Sequence, residues 1–309
     1  MTSFVFFGTS DFAIPILDAL EKHGWPPKLI ITTPDKPGGR GLKPKPSPVK
    51  IWAEKNNIPY LQPGNLNSPE LRLILSKTEF LTAIVASYGK IIPQVILDVF
   101  PKGILNVHPS LLPSWRGADP IRSVILAGDK KTGVTIMLID EKMDHGPILA
   151  QQELADSIYN MSYSVLKLKL AELGGKMLVE IIPKWLAGEI TPKKQNRSKA
   201  TYTKKITKED GHINWNESAE TIERKIRALN PWPGTFAFWN QKRIKILEGE
   251  VVGSENKNPG NIFKHNLGFA VACGEGTILV KTIQLEGKKP QDAKDFLNGY
   301  PDIVGAVLN

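Results

Sequence analysis

Through the first ~190 residues short apolar runs alternate with amphipathic stretches, and this alternation restricts the fold more than any other feature of the sequence. Strands are predicted at 4–7, 28–33, 80–87, 104–107 and 133–139. Between them lie helical patterns with plain start signals. Ser47-Pro48 and Ser68-Pro69-Glu70 each offer a capping hydroxyl followed by proline at the first helical position. Strands separated by helices pair in parallel, because a parallel neighbour needs a crossover long enough to bring the chain back. The expected architecture is therefore α/β, a Rossmann-like, doubly wound and mostly parallel sheet. Gly8-Thr9-Ser10-Asp11-Phe12-Ala13 stands where a dinucleotide-binding fold carries three glycines, and only one is present. NAD is accordingly not expected.

A helical pattern over 161–187 leads out of this region. Residues 193–208 then hold seven basic side chains and no acid, and 191–208 is read as a basic linker. The remainder has one helical stretch at 218–229 and β-rich runs at 235–239, 243–252, 269–273 and 277–285. Short strands at this spacing predict a small β-barrel of the OB type, a fold that often binds oligonucleotides. The expected division is a catalytic domain over 1–190, the linker, and an OB-like, oligonucleotide-binding domain over 209–309. Net charge is +9 and uneven: residues 1–192 carry 21 basic and 18 acidic side chains (+3), residues 193–309 carry 19 and 13 (+6). An excess of this kind suits a phosphate backbone.

Other classes are disfavoured. The single cysteine, Cys273, lies in Phe-Ala-Val-Ala-Cys and reads as a buried strand residue. It cannot form a disulfide within the chain, and Cys–His zinc spacing is absent, so no metal is expected. No apolar run is long enough to span a bilayer, and no basic segment precedes a cleavable apolar core. The chain is read as cytoplasmic, monomeric and without membrane contact.

The residues that carry chemistry sit at strand ends. In Ile104-Leu-Asn-Val-His-Pro-Ser-Leu-Leu-Pro-Ser-Trp-Arg-Gly117, Asn106 and His108 are two apart on a strand and so share a face. Two prolines and a glycine then stop regular structure. A lone histidine at such a place is more often structural. The second segment, Ile136 to Leu149, alters the balance: another apolar strand runs into a polar turn carrying Asp144 ahead of Gly146-Pro147. An amide, an imidazole and a carboxylate delivered to neighbouring loops form a proton-handling set.

Asn106-x-His108, Ser110-Leu111-Leu112-Pro113-x-x-Arg116-Gly117 and Asp144 with its trailing Gly-Pro resemble the active site of folate-dependent formyltransferases. The resemblance covers residues 4 to about 300, includes Asn230-Pro231-Trp232-Pro233, and is fullest to the members that formylate methionyl-tRNA. It implies 10-formyltetrahydrofolate as formyl donor and methionyl initiator tRNA as acceptor. It implies that Asn106 donates to the oxyanion, that His108 moves the proton, and that Asp144 orients and biases the imidazole. Ser110, Leu111, Leu112 and Pro113 would line the folate pocket, with Tyr88 and Gly89 of the 86–93 loop against the pterin. Arg116 would meet the folate's acidic side or a phosphate, or else close its loop through a salt bridge.

The Gly-rich, basic loop over 33–50 resembles the inserted loop with which such enzymes engage the acceptor end. By that match Arg40, with Lys43 and Lys45, joins Lys204 and Lys205 of the linker as the tRNA contacts. Pro109 and Asp119 depart from the family pattern. The rivals are a formyltransferase for a UDP-amino sugar, a 10-formyltetrahydrofolate hydrolase, and a tRNA-binding module with a dead catalytic domain. A serine nucleophile at Ser110 lacks the Gly-x-Ser-x-Gly elbow such chemistry requires.

Overall fold

Five consecutive residues, Phe4–Gly8 (β1), are buried without exception, as are the five of Thr82–Ala86. A strand apolar on both faces belongs in the middle of a sheet covered on both sides by helices. The computed structural model describes residues 3–38, 43–77, 80–253 and 255–309. They fall into two compact units.

The first unit holds residues 1–120, 131–157 and 166–203. After β1 come α1 (Ala13–Lys22), β2 (Leu29–Ile31), β3 (Lys36–Gly38), β4 (Lys43–Lys45), α2 (Pro48–Lys55), β5 (Tyr60–Leu61), α3 (Pro69–Ser76) and β6 (Thr82–Ala86). Then follow α4 (Gln94–Leu97), β7 (Ile104–His108), α5 (Pro120–Ala127, from residue 121 on a part of the second unit), β8 (Gly133–Leu138), β9 (Ile148–Glu153) and α6 (Tyr163–Leu186, in the first unit from residue 166). The sheet order is β5-β2-β1-β6-β7-β8-β9. The predicted caps form: Ser47 Oγ accepts from Lys50 N at 3.0 Å, and Ser68 Oγ from Leu71 N at 3.2 Å.

Strands β5, β2, β1, β6 and β7 run in parallel, as alternation demands, whereas β8 and β9 are antiparallel. In the mostly parallel sheet expected, the run at 133–139 would bring its carboxyl end to that of β7. Instead β8 runs back along it, pairing His108 with Thr135 and Leu105 with Leu138. An antiparallel neighbour needs no crossover helix, so a polar excursion and a hairpin suffice. The 33–50 loop also departs from expectation, since Lys36–Gly38 and Lys43–Lys45 pair as a two-stranded ribbon. Arg40 lies outside the described residues.

The second unit combines 121–130 and 158–165 with residues 204–309. The Arg122 guanidinium lies 3.8 Å from the Tyr163 ring centroid and donates to Trp232 O at 3.1 Å. After α7 (Ala219–Leu229) come β10 (Thr235–Trp239), β11 (Lys242–Val252), β12 (Ile262–His265), β13 (Gly268–Ala272), β14 (Thr277–Leu285), β15 (Gln291–Asp292) and α8 (Ala293–Gly299). These strands pair antiparallel, in the order β10-β11-β14-β13-β12 with β15 on β14. A bulge around Glu248 bends β11. The core of this unit gathers Ile222, Ile226, Trp239, Ile246, Phe269, Cys273 and Phe296; Cys273 is buried as expected but stands one residue past β13 rather than in the strand. Among the described residues no helix is long and apolar enough to cross a membrane.

Two glycines inside α6 set how closely it approaches the strand that carries the site. A Cβ at position 174 would fall 2.6 Å from Val107 Cγ1, and one at 175 would fall 2.7 Å from Ala19 Cβ. Interior glycine costs a helix about 1 kcal/mol relative to alanine, so close packing is what offsets it here. Gly174→Val should therefore destabilise the chain by about 1–3 kcal/mol through overpacking. Equilibrium urea unfolding checks this, and an unchanged midpoint would remove the close contact from the account.

Candidate active site

Strand β7 places Asn106 and His108 on one face, flanked by buried Leu105 and Val107. The Asp144 carboxylate meets both. Its Oδ1 accepts from Asn106 Nδ2 at 3.4 Å and lies 3.5 Å from His108 Nδ1. Its Oδ2 accepts from Gly117 N at 2.8 Å. The three residues that the sequence singled out thus converge. Asp144 arrives differently from expectation: with β8 antiparallel, the 139–147 loop must fold back alongside β7, and Asp144 sits there with φ +49°. Within that loop His145 Nδ1 and Asp140 Oδ2 are 2.7 Å apart, a second tie that shapes it.

His108 is 4% exposed. Its Nε2 is 3.1 Å from the carbonyl of Trp115. A carbonyl only accepts, so Nε2 carries the proton and donates it. Burial pushes the imidazole pKa below its ordinary 6.5; the Asp144 charge and the Trp115 carbonyl push it part of the way back. The shift favours the neutral ring, which with its proton on Nε2 keeps its lone pair on Nδ1. A proton taken there produces an imidazolium directly beside the Asp144 carboxylate. This is the arrangement of a general base whose charged product has its counter-ion already in place. Asn106 spends one N–H on Asp144 and has a second to offer an anionic oxygen.

Thr135 and Gln151 hold the loop after His108. Thr135 Oγ1 donates to Ser110 O at 2.6 Å and accepts from Leu112 N at 3.1 Å. Gln151 Nε2 donates to Leu112 O at 2.8 Å. The chain's strand order reverses between β1 and β6, the usual ligand crevice of an open parallel sheet. There Thr9 N donates to Ser87 O at 3.1 Å and the Ser10 hydroxyl donates to Ser87 Oγ at 2.7 Å.

Residues 1–182 match the family described as formyl transferase, and residues 205–301 match the one described as formyl transferase, C-terminal domain. The chain belongs to the formyl transferase family. It is 43% identical over 310 residues to methionyl-tRNA formyltransferase of Marinobacter nauticus, covering 99% of each chain. Its fold resembles that of methionyl-tRNA formyltransferase from Clostridium thermocellum, with TM-score 0.57 and 16% identity over 92% of this chain and 99% of that one. It likewise resembles an N-formyltransferase from Helicobacter canadensis in complex with folinic acid and dTDP-3-aminofucose, with TM-score 0.66 and 18% identity over 91% and 99%.

Several residues that the family resemblance assigned to folate are engaged otherwise. Ser110 is fully buried and its hydroxyl donates to Ser114 O at 2.6 Å, which also removes it as a nucleophile. Leu112 is buried, while Leu111 and Pro113 stay half-buried. The Tyr88 ring is packed edge-on against Phe7 at 5.5 Å, and burial raises its phenol to about 12. Its hydroxyl is buried without a hydrogen-bond partner, so Tyr88 is a core residue whose neighbour Gly89 is the exposed one. Arg116 is buried too. Its Nε and Nη2 donate to Gln195 Oε1 at 3.1 and 2.7 Å, so the guanidinium closes its loop, the second of the two roles expected, through an amide in place of a salt bridge.

Among the residues expected on tRNA, Lys45, Lys204 and Lys205 are exposed; Lys43 joins the ribbon through its backbone. The stretch expected as a linker is bonded into the first unit as far as residue 203. Gln195, Thr135 and Thr201 escaped the sequence reading. They act through long-range hydrogen bonds that leave no periodicity or motif.

Replacing Asp144 by Asn removes the charge that favours the imidazolium, so the His108 pKa must fall further. Proton NMR titration of the His108 ring checks this; a midpoint that rises, or does not move, would contradict the electrostatic role given to Asp144.

Proposed function

We propose that this chain transfers the formyl group of 10-formyltetrahydrofolate to the α-amino group of methionyl initiator tRNA, the step that prepares the initiator for translation. The convergence of Asn106, His108 and Asp144 carries this reading. Direct attack of an amine on a formyl carbon needs a base for the amine proton, a donor for the oxyanion and an acid for the leaving nitrogen. Neutral His108 takes the proton at Nδ1, and Asp144 stabilises the cation that results. The same proton can then be returned to the leaving nitrogen. Asn106 donates to the developing oxyanion, an interaction worth about 10²–10³ in rate. The half-buried Leu111 and Pro113 and the exposed Gly89 supply apolar and backbone surface for a flat heterocycle.

The acceptor is supported by likeness along 99% of both chains to a methionyl-tRNA formyltransferase. The basic 33–50 and 193–208 segments suit a polyanion better than a nucleotide sugar. In this reading Arg40, Lys43, Lys45, Lys204 and Lys205 meet the tRNA backbone, and the protein works as a cytoplasmic monomer.

The decisive assay supplies 10-formyltetrahydrofolate with methionyl initiator tRNA or with a UDP-amino sugar. Formylation of the tRNA is expected; formylation of the sugar alone would overturn the proposal. His108→Ala should lower kcat by about 10²–10⁴-fold while folate still binds. Full activity in that variant would discard the site assignment. Arg40→Ala should raise KM for tRNA and leave that for folate unchanged, and an equal rise in both would remove Arg40 from the tRNA contacts.

A further inference from the structure

Both groups that flank the His108 imidazole are held from one stretch of chain, 193–203. On the Nε2 side, Trp115 presents its carbonyl from a left-handed backbone at φ +61°. The Trp115 N–H donates to Thr201 Oγ1 at 2.9 Å. Around it Arg116 N donates to Thr201 O at 2.9 Å, Thr203 N to Arg116 O at 2.8 Å, and Thr201 N to Pro113 O at 3.2 Å. Gly117 is adjacent with φ +121°, and a Cβ there would fall 2.3 Å from Thr203 Oγ1, so the stretch closes over this turn without room for a side chain. On the Nδ1 side, Gln195 Nε2 donates to the carbonyls of Asp144 at 3.0 Å and Gly146 at 2.8 Å. Lys193 and Ile148 exchange backbone hydrogen bonds at 2.8 Å where the 139–147 loop ends.

The geometry points to residues 193–203 as a positioning strap for formyl transfer, in which Gln195 sets Asp144 and Thr201 sets the Trp115 carbonyl. This rests on the roles proposed above for His108 and Asp144. The Gln195 amide has one workable orientation. Arg116 offers only donors and the two loop carbonyls only acceptors, so oxygen must face the guanidinium and nitrogen the loop. All four of its hydrogen-bonding positions are then used, and the buried Arg116 serves to anchor the amide. Glutamate would keep the Arg116 contact but turn an oxygen toward two carbonyl oxygens, freeing the Asp144 loop. At Thr201, serine keeps the acceptor for the Trp115 N–H and valine deletes it at equal size.

A strap that merely staples the fold would lower stability and leave the chemistry of the folded molecules alone. A positioning strap affects the chemical step, because displacing a catalytic group by 1 Å costs about 10²-fold in rate. Gln195→Glu, Thr201→Val and Thr201→Ser in the full chain, assayed with 10-formyltetrahydrofolate and methionyl-tRNA, separate the two. Gln195→Glu and Thr201→Val should lose about 10–100-fold in kcat with both KM values within about threefold, and Thr201→Ser should stay within about threefold of the parent. Parental kcat in Thr201→Val and Gln195→Glu, or a rise in KM alone, would overturn the strap. Thr201→Val decides by itself should Gln195→Glu not fold. Turnover of the unaltered chain in the same series reports separately on the proposed function, so the two can fail independently.

Discussion

The site depends on keeping one buried imidazole neutral and correctly turned. Burial alone would do the first and leave the ring free to rotate. The Trp115 carbonyl at 3.1 Å fixes the second by demanding a proton on Nε2, which leaves Nδ1 as the basic atom facing Asp144. The carboxylate is near enough to stabilise a cation once formed, and its pull does not outweigh burial beforehand. In the proposed reaction, proton uptake and charge compensation meet at one atom pair, without solvent reorganisation.

The fold explains why such a pair arises here. Strand β7 stands where the sheet changes from parallel to antiparallel pairing. Parallel β6 and β7 bring their carboxyl ends toward the crevice where strand order reverses. Antiparallel β8 and β9 contribute a hairpin whose 139–147 loop returns Asp144 to the same place. The closely packed α6, with Gly174 against Val107, backs the strand that carries both Asn106 and His108. A site built on a central strand and locked loops holds its groups more tightly than one built on loops alone.

Much of this was legible in the sequence, for identifiable reasons. Asn106 and His108 follow from a period of two, and the Ser47 and Ser68 caps from a hydroxyl before proline. Strands buried on both faces announce themselves as unbroken apolar runs. What stayed hidden was chiefly direction and partnership. An apolar run at 133–139 looks the same whether parallel or antiparallel, so the route of Asp144 could not be read. Arg116 looked like an anion binder because guanidinium chemistry permits it, yet its partner is an amide 79 positions away that no local pattern marks. Tyr88 looked like a ligand contact and is a core ring, since an aromatic beside glycine suits either place. The 193–203 segment read as a spacer on charge alone, while its threonines and glutamine make its structural bonds.

The central claim is the protonation state and tautomer of His108. Nitrogen-15 NMR of the histidine-labelled chain at pH 7 reports both directly. The account requires a neutral ring with its proton on Nε2 and an unprotonated Nδ1. A proton on Nδ1, in either an imidazolium or the opposite tautomer, would contradict it.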